Sequence, residues 1–177
     1  MRCAVFLDRD GVIIRTNVLD GRPYAITSLE ELEVLEGAAD AIARLRDAGF
    51  LIIVVSNQPD AVTGKVTRAF VEVVNAELMD RLAIDEIKVC YEVNGPDAIC
   101  YKPRPRMLLD AAEDHGIDLG RSFMVGDRWR DVGAGNAAGC RTIFIDHGYR
   151  DRAPENPDHV VRSLKEAADL ILEMERD

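Results

Sequence analysis

No apolar stretch in this chain is long enough to cross a bilayer, and the short apolar run near the N-terminus has neither the length nor the cleavage pattern of a signal peptide. We therefore expect a cytoplasmic protein with no membrane partner. Positive charge is also in short supply. Lys and Arg number 22 against 32 Asp and Glu, a formal net charge of −10. With no basic stripe to offset that charge, a nucleic-acid partner is excluded. A small phosphorylated metabolite stays open, because it meets local cations, backbone N–H groups and metal rather than the global charge. Cysteine is limited to four scattered residues, Cys3, Cys90, Cys100 and Cys140. We expect all four to be reduced, with Cys3 and Cys140 packed as small hydrophobes. There is no internal repeat and no low-complexity linker. A chain of 177 residues without such breaks reads as one domain over 1–177, able to bury a substantial core, and as a monomer or small homo-oligomer.

What is present is an alternation of strand-like and helix-like segments. Cys3 to Leu7 is an apolar run that reads as a buried parallel strand. Residues 37–48 read as a helix stopped by Gly49, and Leu51-Ile52-Ile53-Val54-Val55 as a central strand. Val66, Phe70, Val73, Val74 and Leu78 recur at helical spacing. Ile87 to Cys90 is a short strand. Pro105 opens a helix carrying Met107, Leu108 and Ala112, which Gly116 ends. Phe123-Met124-Val125 and Thr142 to Ile145 are further strands. Between them, Ala134 to Ala138 belong to a helix capped by Gly139. Ser163 and Glu166 form a capping-box pattern before the last helix. This order predicts an α/β fold, a three-layer doubly wound parallel sheet with right-handed crossovers. The stretches 17–28, 91–106 and 147–157 read as irregular.

Polar groups cluster where the strands end, which is where open α/β sheets bind ligands. The first strand delivers Asp8 and Asp10, two residues apart and so expected on one side. A carboxylate pair held close is costly unless a cation or a shared proton relieves it. The second delivers Ser56-Asn57-Gln58, a later loop delivers Lys102, and the last delivers Gly126-Asp127-Arg128-Trp129-Arg130-Asp131. Each alone has a bland reading as a turn, a helix cap or a solvated lysine. Three acids, a hydroxyl and a lysine at one sheet rim together suit Mg²⁺ and a phosphate, since Mg²⁺ takes hard oxygen ligands and an ammonium suits phosphoryl oxygens.

On these residues the chain resembles the haloacid dehalogenase-like phosphatases. Asp8-x-Asp10-Gly11-Val12, Ser56, Lys102 and Gly126-Asp127-x-x-x-Asp131 match the four motifs of that superfamily in order, over nearly the whole chain. Asp8-Arg9-Asp10-Gly11, Ser56-Asn57-Gln58 and Lys102-Pro103-Arg104-Pro105 are similar to the capless branch that holds heptose-bisphosphate and histidinol phosphatases, and no insertion is long enough for a separate cap domain. The resemblance implies a Mg²⁺-dependent phosphomonoesterase. Asp8 would be the nucleophile, forming an aspartyl-phosphate, and Asp10 the acid–base group. Asp8, the Asp10 backbone carbonyl and Asp127 would bind Mg²⁺. Ser56 and Lys102 would hold the phosphoryl oxygens, and Asp131 would orient Lys102 or metal-bound water rather than bind the metal directly. Asn17, Asn57, Gln58, Arg104 and Arg128 would be substrate contacts.

The chain departs from that branch in its loop at 90–101. The heptose enzymes resemble one another in a three-Cys, one-His zinc loop, but Glu92 and Ala98 stand at two of those places, leaving only Cys90 and Cys100. Two thiolates do not make a four-ligand site, so we expect no structural Zn²⁺. Tyr101 stands where those enzymes usually carry Arg, and Pro59-Asp60 follows Gln58 in place of small residues. Both changes border the substrate and leave the sugar phosphate open. A heptose 1,7-bisphosphate is the leading reading and histidinol phosphate the alternative. A non-enzymatic phospho-receiver combines similar groups, but there the acid pair is adjacent and the lysine comes last, whereas here Asp127 follows Lys102.

Overall fold

The structure is a computed structural model in which residues 1–175 are described. Six parallel strands form one sheet in the order β5-β4-β1-β6-β7-β8. They are β1 (Ala4–Leu7), β4 (Leu51–Asn57), β5 (Glu86–Cys90), β6 (Phe123–Gly126), β7 (Arg141–Ile145) and β8 (His159–Val161). The chain builds outward from β1 through β4 and β5, then crosses back to β6 and continues the other way. The strand order therefore reverses between β1 and β6, and a crevice opens at their carboxyl ends.

Alternating residues of the central strands feed two cores. Val5 and Leu7 of β1, with Ile52 and Val54 of β4, face α1 (Ala38–Asp47), α3 (Arg68–Arg81) and α6 (Leu164–Met174) through Ile42, Leu45, Val74, Leu78 and Ile171. Ala4, Phe6, Ile53 and Val55 face α4 (Arg106–His115) and α5 (Trp129–Ala138) through Met107, Leu108, Ala111 and Ala134. Burial on both faces is why these strands read as unbroken apolar runs. The three-layer doubly wound sheet expected from the sequence is what forms. Gly116 and Gly139 end α4 and α5 in the left-handed conformation. At α6 the Ser163 hydroxyl accepts from Glu166 N at 3.1 Å, while the Glu166 carboxylate accepts from Arg162 N at 2.9 Å. A short helix, α2 (Asp60–Thr63), follows β4.

Three sequence expectations need correction. Residues 17–28 are not irregular throughout: β2 (Asn17–Leu19) and β3 (Arg22–Tyr24) form an antiparallel hairpin. Its turn, Asp20-Gly21, has positive φ at both residues, as a two-residue hairpin turn requires. Residues 147–157 are irregular as expected, but β8 just after them, a three-residue edge strand too short to show a pattern, was missing from the expected strands. Cys90 and Cys100 are not reduced but joined in a disulfide with Cα atoms 5.6 Å apart. Glu92 explains the encounter. Its carboxylate accepts from Ile99 N at 2.7 Å and Cys100 N at 2.8 Å, folding the 91–100 loop back on the end of β5.

With that bond formed, only Cys3 and Cys140 remain as thiols. Denatured protein prepared without reductant should titrate two thiols with a chromogenic disulfide, rising to four after reduction, and should carry no stoichiometric zinc by elemental analysis. Four thiols with one zinc per chain would show that the loop closes on metal instead.

Candidate active site

The strand ends at the reversal point enclose a cleft of ≈ 230 Å³. Asp8, Asp10, Asn57, Gln58, Lys102, Asp127, Arg128 and Asp131, all singled out from the sequence, line it. At its floor is a buried ammonium. Lys102 Nζ donates to Asp8 Oδ1 at 2.9 Å, Asp131 Oδ1 at 2.7 Å and the Val55 carbonyl at 2.7 Å, so each of its three N–H groups has an acceptor. Burial alone would push its pKa down, but Asp131 and Asp8 outweigh burial and raise it, so the ammonium stays charged. Asp131 is fully engaged. Its other oxygen accepts from Arg128 N at 2.9 Å, which caps the start of α5. Gly126 makes room for this carboxylate, since a Cβ there would lie 2.1 Å from Asp131 Cβ.

Asp8, Asp127 and Asp131 each bring a carboxylate oxygen within 4.8 Å of the others. Burial and the charge of Asp131 push the Asp8 pKa up, with Lys102 opposing. Burial, Asp8 and Asp131 push Asp127 well above the usual carboxylate range. Both Asp127 oxygens are buried without a hydrogen-bond partner among the described residues. Gly11, at φ +84°, lets the chain pass against Asp127 where a Cβ would fall 1.9 Å from Oδ2. A buried carboxylate with two idle oxygens, beside two further acids and one ammonium, is short of positive charge. Hard oxygen donors in this arrangement fit a divalent cation such as Mg²⁺.

The second acid of the first motif sits in a different setting. Arg9, almost wholly buried, grips Asp10 through Nε (3.1 Å) and Nη2 (3.2 Å) and reaches Asn75 of α3 through Nη1 at 2.9 Å. Gln58 Nε2 also donates to Asp10 at 2.8 Å. The Asp10 carboxylate therefore stands apart from the cluster of three while still lining the cleft. β1 ends at Leu7, so the two-residue strand alternation no longer governs Asp8 and Asp10.

Other expected site residues are placed differently. Ser56 does not line the cleft. β4 continues to Asn57, which makes Ser56 a fully buried strand residue whose hydroxyl accepts from Gln58 Nε2 at 2.8 Å. Asn57 accepts from Lys102 N at 3.0 Å and donates to Lys102 O at 3.3 Å, pinning that backbone. Arg104 is not among the residues lining the cleft and donates to the Gly95 carbonyl at 2.9 Å, tying down the 91–100 loop. Asn17, on the exposed face of the hairpin, donates to Glu31. Arg128 does reach the cleft, with its Nε on Asp151 at 2.6 Å. Sequence reading missed Pro23 and Tyr24 from the hairpin, Lys65 and Arg130, all of which line the cleft. The Asp20-Gly21 turn between two short extended runs was the available signal for the hairpin. Nothing local marked Lys65, whereas Arg130 lies inside the Gly126–Asp131 segment read as a rim loop and was given no role there.

A doubly wound sheet with these acids and this lysine at its reversal point defines a haloacid dehalogenase-like phosphatase, and the chain belongs to that family. Residues 99–167 match the HAD-hydrolase-like family. More particularly, the chain is similar to D-glycero-D-manno-heptose-1,7-bisphosphate 7-phosphatase of Thermosynechococcus vestitus, at 33% identity over 96% of this chain and 95% of that protein. It is 34% identical to the D-glycero-beta-D-manno-heptose-1,7-bisphosphate 7-phosphatase of Escherichia coli K12, over 94% and 91% of the two chains. The crystal structure of D,D-heptose 1,7-bisphosphate phosphatase from B. bronchiseptica, complexed with magnesium and phosphate, superposes with a TM-score of 0.80 at 27% identity, covering 97% and 99%.

The shortage of positive charge around Asp127 has a stability signature. In chelating buffer, Asp127→Asn should unfold at higher urea than the parent, gaining about 1–2 kcal/mol by removing an uncompensated buried charge. Added Mg²⁺ should stabilise the parent in a concentration-dependent way and the variant far less. A variant that is weaker in chelator yet equally responsive to Mg²⁺ would contradict this reading.

Proposed function

We propose that the chain is a Mg²⁺-dependent phosphomonoesterase that works through an aspartyl-phosphate on Asp8, and that its substrate is a D-glycero-D-manno-heptose 1,7-bisphosphate cleaved at the 7-phosphate. The observation that carries the reading is Asp8 itself. It is a buried carboxylate at the sheet reversal point, with one oxygen fixed by Lys102 and Asp127 close by. Such a carboxylate is aimed into the cleft and cannot rotate away, as a nucleophile must be. The named relatives support the choice of sugar.

In this reading Asp8 attacks phosphorus. Asp10, held by Arg9 and Gln58, protonates the departing alcohol oxygen and then takes a proton from the water that hydrolyses the acyl phosphate. Such acid–base assistance is worth roughly 10²–10⁴ in rate. Asp8, Asp127 and the Asp10 backbone carbonyl would hold Mg²⁺, which when bound neutralises the acids and the phosphoryl oxygens. Lys102 keeps Asp8 oriented and brings positive charge to the phosphoryl group, and Asp131 in turn fixes Lys102. Ser56 contributes by orienting Gln58, while Asn57 and Arg104 position the loops that carry Lys102.

Asp8→Asn should lower phosphate release at least about 10⁴-fold with an unchanged circular dichroism spectrum. The panel for this assay, run with Mg²⁺, comprises both anomers of heptose 1,7-bisphosphate, histidinol phosphate, and hexose and pentose phosphates. One heptose anomer should lead it. A variant retaining a tenth of the parent rate would rule out covalent catalysis at Asp8. A lead for histidinol phosphate would move the substrate and leave the chemistry intact.

A further inference from the structure

The cations that line the cleft differ in how well they are satisfied. Lys102 is saturated by Asp8, Asp131 and the Val55 carbonyl. Arg128 is paired with Asp151 at 2.6 Å, and Lys65 with Asp60 at 3.4 Å. Arg130 has no carboxylate partner within 4.0 Å among the described residues, and its Nε is buried with no hydrogen-bond partner at all. Its guanidinium is nonetheless held in place. The Cζ atom lies 4.7 Å from the ring centroid of Trp129 and 5.8 Å from that of Tyr101. Stacking on aromatic faces fixes the plane of a guanidinium without using its N–H donors. Arg130 lines the cleft, and a guanidinium stacked in this way with no carboxylate partner suits an anionic group able to take two parallel hydrogen bonds.

The transferred phosphoryl group already has a cation in the proposed chemistry, Lys102 at the floor. Asp8, Asp127, Asp131 and Lys102 gather at the floor, and the neighbours Lys102 and Tyr101 send their side chains to different places. Lys102 goes to the acids, while the Tyr101 ring lies against Arg130. We infer that Arg130, backed by Tyr101 and Trp129, is a specificity-determining residue that receives the second, uncleaved phosphate of a bisphosphate substrate. The inference rests on the phosphatase reading above and adds to it the element that selects a substrate phosphorylated at both ends. Fixing the guanidinium beforehand reduces the ordering cost of binding, so the selection falls mainly on affinity.

The test compares heptose 1,7-bisphosphate with heptose 7-phosphate. For Arg130→Met, the ratio of kcat/KM between the two should collapse by about 10- to 100-fold, the loss expected for hydrogen bonds to a charged group, and mainly through KM of the bisphosphate. Arg130→Lys keeps the charge without the fork and should restore part of the ratio. An unchanged ratio overturns the assignment, whether both substrates slow together or neither does. Calorimetric binding of the same two compounds to Asp8→Asn, with and without Arg130→Met, reads the subsite without turnover. The bisphosphate should bind at least about 10-fold tighter, and Arg130→Met should erase that advantage. Equal binding to Asp8→Asn overturns the subsite. Absence of turnover by the parent with the binding preference intact would instead count against the phosphatase reading.

Discussion

The buried ammonium of Lys102 is the contact on which the rest of the site depends. Its three acceptors belong to the end of β1, the end of β4 and the first turn of α5. One side chain thus ties together three elements that are distant in sequence. An ammonium removed from water without such partners would cost several kcal/mol, so each acceptor is needed where it is. Asn57 clamps the backbone of Lys102 from both sides, and the missing side chain at Gly126 leaves the space that Asp131 occupies. Even so, one ammonium faces three buried acids. The mismatch falls on Asp127, whose oxygens have no hydrogen-bond partner among the described residues. Folding alone gains nothing from that arrangement, whose chemistry fits a site that takes a cation.

Two acids in one tetrapeptide end up in opposite electrostatic settings, and the residue between them separates them. Arg9 is one of the largest fully buried side chains in the protein. Its guanidinium turns the Asp10 carboxylate out of the acidic cluster and links it to α3 through Asn75. Asp8 is left to share Lys102 with Asp131. Gln58 extends the same support, donating to Asp10 and to Ser56 together. The division of labour proposed for these two carboxylates requires different surroundings, and a buried arginine and a glutamine supply them.

The sheet was largely legible in the sequence because β1, β4, β6 and β7 are covered on both faces and so carry little but apolar residues. Gly49, Gly116 and Gly139 marked helix ends for the reason expected, positive φ. The edge strand β8 and the β2–β3 hairpin were not legible as periodic segments, since three residues are too few to show a period. At the site, residue identities were legible and side-chain directions less so. Whether Ser56 enters the cleft depends on β4 running on to Asn57, a matter of one or two residues that composition does not decide. Arg104 and Asn17 looked like substrate contacts by type. Their hydrogen bonds go to a backbone carbonyl nine residues away and to Glu31. The disulfide was hidden for a similar reason. Glu92, which reads as a missing zinc ligand, accepts backbone N–H groups and brings the cysteines together.

With no separate cap domain among the described residues, the cleft has only walls that are already in place with which to select a substrate. Here the walls are pinned. The 91–100 loop is closed by the disulfide, by Glu92 at its end and by Arg104 across its middle. On another side, Arg128 joins the start of α5 to the loop after β7 through Asp151. Rigid walls favour recognition by fixed charge over recognition by closure, because donors held in position lose little freedom when the ligand arrives. The charge is graded accordingly, with acids and a saturated lysine at the floor and arginines nearer the rim. A phosphate ester entering this cleft meets guanidinium groups first and the acids only once a cation offsets them. In the proposed chemistry such a gradient would admit the substrate end-on and leave its reacting phosphorus beside Asp8.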